Sequence, residues 1–453
     1  MKGSKCREAQ PAEQSRVAAA EQSGVREAAE HGEALIKGEL SDGGPVVNDD
    51  AAARELRWRM KALQWGASSL PSIRCCSRSP RPASTGGEGQ LSVMQIGEGT
   101  KARRYISGLY HCGSRRCARC SQSIAAERVD QLSRGLDWFM HDGLGDGIGH
   151  QVLFATFTIG HSFADLPDKL MDALGHARSA LTTGGSWNGG SRSLGDRRRF
   201  GVCGMVSTVE VTWNRNSGYH FHLHCLLLLQ HPLGYSDYFV LGSRLYGRWK
   251  KSLKADHFDC SLQGFSMLPL TSTIAMSDRI SRYVNKADAR HAAAEMLNDQ
   301  GKLGRGESVG FFELLAYLCL DERLARFWFP LRKGEDASWD DSGLHVVNKA
   351  TGEITWSSAM GGDQRYWHVL HSIEKVMKGR RVLNYSHRCR REDSVLDSLW
   401  NRFLDHAHAA GSSDEDITRD DMGKGKLVQV ISAETWQSEF VNDPSRIISL
   451  LKP

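Results

Sequence analysis

Thr208-Val209-Glu210-Val211-Thr212-Trp213-Asn214-Arg215-Asn216-Ser217-Gly218-Tyr219-His220-Phe221-His222-Leu223-His224, followed by Cys225 and four leucines, is the stretch on which the reading of this chain turns. Both arms alternate bulky or β-branched residues with polar ones at period two, and Asn, Ser and Gly punctuate the middle, so the segment reads as a β-hairpin. Alternation places His220, His222 and His224 on one face of the second arm. With the turn centred so that Trp213 faces Tyr219, Glu210 lies directly across from His222. A slip of two residues moves Glu210 opposite His220 or His224 on the same face, and only a slip of one breaks the cluster. Directly opposed side chains have Cβ atoms about 5 Å apart, close enough for imidazoles and a carboxylate to share a divalent cation.

The His222-Leu223-His224 pair entering an apolar run resembles the HUH motif of endonucleases that start rolling-circle replication. Gly201 to Leu229, with Glu210, Thr212 and Gly-aromatic-His-x-His-x-His, resembles more closely the replication initiators (Rep proteins) of rolling-circle plasmids. Phe221 stands where that family usually has Pro. Strands meeting around a histidine-bearing hairpin, with helices between them, read as an α+β fold with a central antiparallel sheet packed by helices, and the resemblance implies the HUH-nuclease palm. It also implies Mg²⁺ or Mn²⁺ held by His222, His224 and Glu210. His220 is either a substitute ligand or a phosphate contact, and imidazole donors favour Mn²⁺. The strand Ala155-Thr156-Phe157-Thr158-Ile159-Gly160-His161 resembles the family's first motif and is expected beside the hairpin, in the floor of the site.

Ser281-Arg282-Tyr283-Val284-Asn285-Lys286 matches the family's Tyr-x-x-Lys, which implies that Tyr283 is the nucleophile. On a helix the i, i+3 spacing sets Lys286 beside it. A free Tyr titrates near pH 10, so attack near neutrality needs a polarised phosphate and nearby positive charge. The implied reaction nicks one strand of plasmid origin DNA, links Tyr283 to the 5′ phosphate and frees a 3′ hydroxyl for the host polymerase, with the host helicase as a further partner. Some of these initiators carry a carboxylate one turn before the Tyr; Arg279 occupies that position here, and Asp278 is the nearest preceding acid.

A second constellation is Cys112-x4-Cys117-x2-Cys120, preceded by Cys75-Cys76. In a reducing compartment such spacing reads as a structural Zn²⁺ site, a closed thiolate set with no open position for chemistry. Cys75, Cys76 or His111 completes it. Arg115, Arg116 and Arg119, interleaved with the ligands, are candidate phosphate contacts. So are Lys378-Gly379-Arg380-Arg381 beside Tyr366-Trp367 and Tyr385, since basic residues with aromatics suit single-stranded DNA.

The chain has 453 residues, 40% hydrophobic and 25% charged, which is the composition of a folded domain with appendages. Its net charge of +5 permits nucleic-acid binding without requiring it. Eleven cysteines in such a chain argue against a disulfide scaffold. No apolar run reaches membrane-spanning length and no signal-peptide pattern opens the sequence, so a cytoplasmic protein with no membrane partner is expected. Residues 1–55 read as a disordered or loosely helical extension, 56–150 as the cysteine-rich zinc segment and a helix, and 151–300 as the catalytic domain. Residues 301–410 read as a helical region, with 333–362 loop-rich, and 411–453 as an acidic linker and tail. Two rivals remain: an HUH single-strand transposase or relaxase, and a zinc-containing DNA-binding regulator without catalysis. Relaxases typically place the tyrosine before the histidines, whereas Tyr283 follows them.

Overall fold

The computed structural model describes residues 51–81, 90–99, 102–142, 149–214, 216–270, 296, 308–318, 335–340, 343–357, 364–381, 383–409, 425–443 and 445–452. They begin with helix α1 (Ala51–Ala67), a short α2 (Pro71–Cys75) and a ribbon of β1 (Leu91–Ile96) and β2 (Arg103–Ser107). Helix α3 (Cys120–Asp137) leads to strand β3 (Gln151–Thr158), helix α4 (Pro167–Leu181), the long hairpin of β4 (Val202–Asn214) and β5 (Gly218–Leu229), helix α5 (Tyr235–Ala255) and strand β6 (Phe265–Pro269). Then come β7 (Ser308–Gly310), α6 (Phe311–Tyr317), β8 (Glu335–Asp340), β9 (Gly343–Asn348), β10 (Ile354–Ser357), helix α7 (Gln364–Met377), β11 (Asn384–Tyr385), α8 (Val395–His408) and β12 (Lys426–Ile431).

The fold is α+β, and its main sheet is antiparallel, with strand order β11-β4-β5-β3-β6 and the short β7 added to β4. The hairpin turn is built by Asn214, whose Oδ1 accepts from the backbone N–H of Asn216 at 2.8 Å and of Ser217 at 3.3 Å. Gly218 then takes φ 83, the left-handed region that a side chain would resist. From this turn the strands pair with Trp213 opposite Tyr219 and Glu210 opposite His222, the register that centring the turn predicts.

Because the side-chain period is two, β5 sends its odd residues to one layer and its even ones to the other. Phe221, Leu223, Cys225, Leu227 and Leu229 are buried in the core cluster that contains Leu174 of α4 and Leu245 and Trp249 of α5. Leu226 and Leu228 face the opposite way, into a second cluster with Leu132 and Leu136 of α3 and Trp400 and Phe403 of α8. That layer roofs only the far half of its face. On the near half the even residues are His220, His222 and His224, flanked on the neighbouring strands by Thr208, Glu210, Thr156 and Thr158. Gly204 of β4 lets α8 approach: a Cβ there would lie 2.3 Å from the Trp400 ring.

A second sheet, β12-β1-β2, joins the two ends of the described chain and packs on Trp58 and Trp65 of α1 with Trp436. The sequence reading does not anticipate this pairing of residues 91–96 with 426–431. Residues 335–357 form the three-stranded antiparallel meander β8-β9-β10, where a loop-rich segment is expected. The Asn348–Gly352 turn supplied the loop signal, and the short β-branched runs on either side of it supply the strands. Within the region read as helical, Ser308–Gly310 instead pairs with the end of β4, and α6 starts at Phe311. Among the described residues no helix is long and apolar enough to cross a membrane.

Gly204→Ala forces Trp400 out of its place and should destabilise the protein by about 1–3 kcal/mol, the usual cost of overpacking a closed core. Thermal unfolding followed by circular dichroism checks this, and an unchanged melting temperature would show that the α8 layer yields freely.

Candidate metal centres

The histidine face is assembled by three adjacent strands, with β5 between β4 and β3. Opposite His224 stand Thr208 on one side and Thr156 on the other; opposite His222 stand Glu210 and Thr158. The threonine hydroxyls aim the rings: Thr156 Oγ1 lies 3.1 Å from His224 Nδ1, and Thr158 Oγ1 lies 3.0 Å from His222 Nδ1. The strand lies beside the hairpin, as expected, and its threonines contact the two imidazoles.

His224 Nε2 lies 2.7 Å from Glu210 Oε2. An ionised carboxylate only accepts, so Nε2–H donates to it, and in the neutral ring Nδ1 accepts from Thr156. A cation bound at His224 Nε2 therefore displaces this proton. Two imidazoles and a carboxylate on one half-open face suit Mn²⁺ better than Mg²⁺, and in donor chemistry the set fits. Its ligand atoms do not converge as tightly as those of the cysteines: among the described residues, only Cys76, Cys112, Cys117 and Cys120 bring theirs within 4.8 Å of one another. The rings of His222 and His224 stand 6.3 Å apart, near the two-residue repeat of a strand.

The structure narrows the role left open for His220. His161 Nδ1 lies 2.9 Å from the carbonyl oxygen of Ser217, which can only accept. With both rings neutral, His161 Nε2 then accepts from His220 Nδ1–H at 2.8 Å, and His220 Nε2 accepts from the Ser217 hydroxyl at 3.1 Å. Both His220 nitrogens are thus committed to a closed ring of hydrogen bonds at the hairpin tip. Burial, with the neighbouring His161, lowers the pKa of His220 to about 4. The sequence contains both histidines but gives no sign that Ser217 and His161 close on His220.

At the cysteine cluster the structure selects among the candidates. Cys75 ends α2 and is exposed, whereas Cys76, one residue on, is fully buried and faces inward. Its Sγ lies 3.5 Å from that of Cys120 and 3.5 Å from that of Cys117, while Cys112 and Cys120 are 3.8 Å apart. Zn–S bonds of about 2.3 Å put tetrahedral sulfurs about 3.8 Å from each other, so four thiolates here fit zinc. His111 Nδ1 sits 3.8 Å from Cys120 Sγ, beside the set. Hydrogen bonds from the thiols of Cys112, Cys117 and Cys120 hold Cys76 far below the ordinary thiol range, which favours the thiolate that a metal needs. Gln64 clamps the loop, donating to Arg116 O at 2.7 Å and accepting from Ala118 N at 3.0 Å.

Tyr283, Lys286 and Asp278 lie outside the described residues, so the structure does not place them.

Part of this chain is 30% identical, over 159 residues, to a protein named Protein rep from Streptomyces lividans, a match covering 30% of this chain and 33% of that one. A protein from Streptomyces cyanogenus named Neomycin resistance protein is 30% identical over 142 residues, covering 27% and 31% of the two chains. Each match spans about a third of the relative's length. No family model matches the chain, and no solved structure does. The chain is therefore similar, over part of its length, to a Rep protein.

Cys76→Ser should strip the protein of zinc while Cys75→Ser keeps it, as read by metal analysis of the purified variants; equal retention would exclude Cys76 as a ligand. The His220 ring should stay neutral from neutral pH down to nearly its pKa of about 4. A folded pKa below the free value of about 6.5 means the unfolded chain binds the proton more readily, so this contribution to stability is present above pH ~6.5 and lost as pH falls toward 4. An NMR titration of the ring resonances decides it; an ordinary imidazole pKa would show that the hydrogen-bonded ring does not form.

Proposed function

We propose that this chain initiates rolling-circle replication of a plasmid by nicking one strand of the origin and transferring it, with Tyr283 as nucleophile. The observation that carries the reading is the register that sets Glu210 across from His222 and within hydrogen-bonding distance of His224, on one face of an antiparallel sheet. The partial similarity to Protein rep supports it. So does the order of the strands around β5, which suits the HUH palm.

The phenolate oxygen of Tyr283 forms a bond to phosphorus as the bond from phosphorus to the 3′ oxygen breaks. The leaving oxygen takes up a proton and becomes a free 3′ hydroxyl, and the 5′ phosphate stays on the tyrosine. His222, His224 and Glu210 would hold Mg²⁺ or Mn²⁺, which when bound would supply Lewis acidity toward the phosphodiester. Thr156 and Thr158 keep the two imidazoles turned toward the face where the phosphodiester lies. Lys286, three residues after Tyr283 in the sequence, favours the phenolate by its charge. Plasmid origin DNA, its exposed single strand, and the host helicase and polymerase are the partners this reaction requires.

One observation favours a second reading, the zinc-containing DNA-binding regulator: the ligand atoms that converge most closely are the four cysteines. The two readings part at the covalent step. Full-length protein incubated with supercoiled DNA of its own replicon and Mn²⁺ should give a protein-linked 5′ end on a denaturing gel. Tyr283→Phe and the His222→Ala, His224→Ala double variant should each reduce the adduct to background. Tight binding without any adduct would favour the regulator, and an adduct that survives in Tyr283→Phe would remove that residue from the mechanism.

A further inference from the structure

The three arginines interleaved with the cysteine ligands have different surroundings. Arg119 lies over the Trp58 ring, 4.5 Å from its centre, and Arg116 is buried with its guanidinium 5.2 Å over Phe311. Both pack against aromatic faces on the side of the cysteine cluster that meets α1 and α6. Arg115 reaches the other way: its Nη1 donates to Thr208 Oγ1 at 3.2 Å. Thr208 is fully buried and pairs directly with His224, and it stands two residues before Glu210, hence on the same face of β4. The contact therefore carries a permanent positive charge from the cysteine loop to the edge of the histidine face, beside His224.

The loop is built to hold it there. Cys112 and Cys117 bracket Arg115, the backbone N–H of Ser114 donates to Cys112 Sγ at 3.4 Å, and that of Cys117 donates to Ser114 O at 3.1 Å. We infer that Arg115 is the phosphate-positioning residue of the histidine face, delivered by the cysteine cluster, and that it grips a phosphodiester of single-stranded DNA next to His222, His224 and Glu210. A guanidinium is always charged, and its planar fork matches phosphate oxygens. The identity of the ligand rests on the nuclease reading; the placement of Arg115 does not. Zinc in the cluster would then act on DNA indirectly, by fixing the loop from which Arg115 extends.

The test uses the full-length protein and a fluorescent oligothymidylate, with binding followed by anisotropy across a salt series. A phosphate contact on a single strand contributes about 0.7 to the slope of log affinity against log salt, so Arg115→Ala should flatten the slope by about that much. Arg115→Lys should keep it, and zinc content should stay at the wild-type level in both. A wild-type slope in Arg115→Ala overturns the inference. Loss of zinc in that variant overturns it equally, because it assigns the side chain to holding the loop. A flattened slope where the wild-type protein forms no covalent adduct keeps the inference and defeats the nickase; an adduct with an unchanged slope does the reverse.

Discussion

Everything in this molecule depends on the pairing register of β4 with β5. Period two means that a slip of one residue would turn His220, His222 and His224 into the layer occupied by Leu174, Leu245 and Trp249, and would turn Phe221 and Leu223 out of it. Burying three imidazoles without partners while exposing large apolar side chains is strongly unfavourable. The register is fixed three times over: by the Asn214 turn, by the α4–α5 layer on one face, and by the Leu226–Leu228 contacts with α3 and α8 on the other. The polar cluster follows from the packing of its neighbours.

That packing also divides labour along a single face. Where β5 carries leucines, α3 and α8 close over the sheet; where it carries histidines, the adjacent strands offer Thr156, Thr158, Thr208 and Glu210. The two candidate metal centres have opposite demands. Zinc wants a complete sulfur shell shut away from solvent, and Cys76, Cys117 and Cys120 are all buried. A cation acting on a phosphodiester needs a side left open for it. The cysteine cluster stands at the boundary between the halves, since Cys120 is the first residue of the helix that roofs the leucine half.

The hairpin was readable in the sequence because its information is local: alternation, a turn composition, and residues close together along the chain. The fold class and the facing of Glu210 with His222 follow from the same signals. The choice of Cys76 over Cys75 was not readable, because neighbouring cysteines differ only in where the backbone points them, and α2 stops between the two. Neither was the ring linking His161, Ser217 and His220, which joins the segment after β3 to a turn more than fifty residues later. The strand Lys426–Ile431 pairs with Leu91–Ile96 across more than three hundred residues, and composition carries no trace of such a partner. Residues 335–357 looked like loop because Asn348, Thr351 and Gly352 outweigh the short runs they separate, although those are the residues a tight turn requires.

Helix α3 begins at a candidate sulfur ligand and, about four turns later, crosses α8 so closely that Gly135 has no room for a Cβ beside Ala407 and Phe403. One rigid rod thus connects the thiolate cluster to the helical layer over the sheet. Packing of this kind would make the cysteine loop, α3, α8 and the leucine half of the hairpin open together in hydrogen exchange. Oxidation of the four thiols would then be felt across the sheet, so that the redox state of the surrounding solution would govern how long the histidine face keeps its shape.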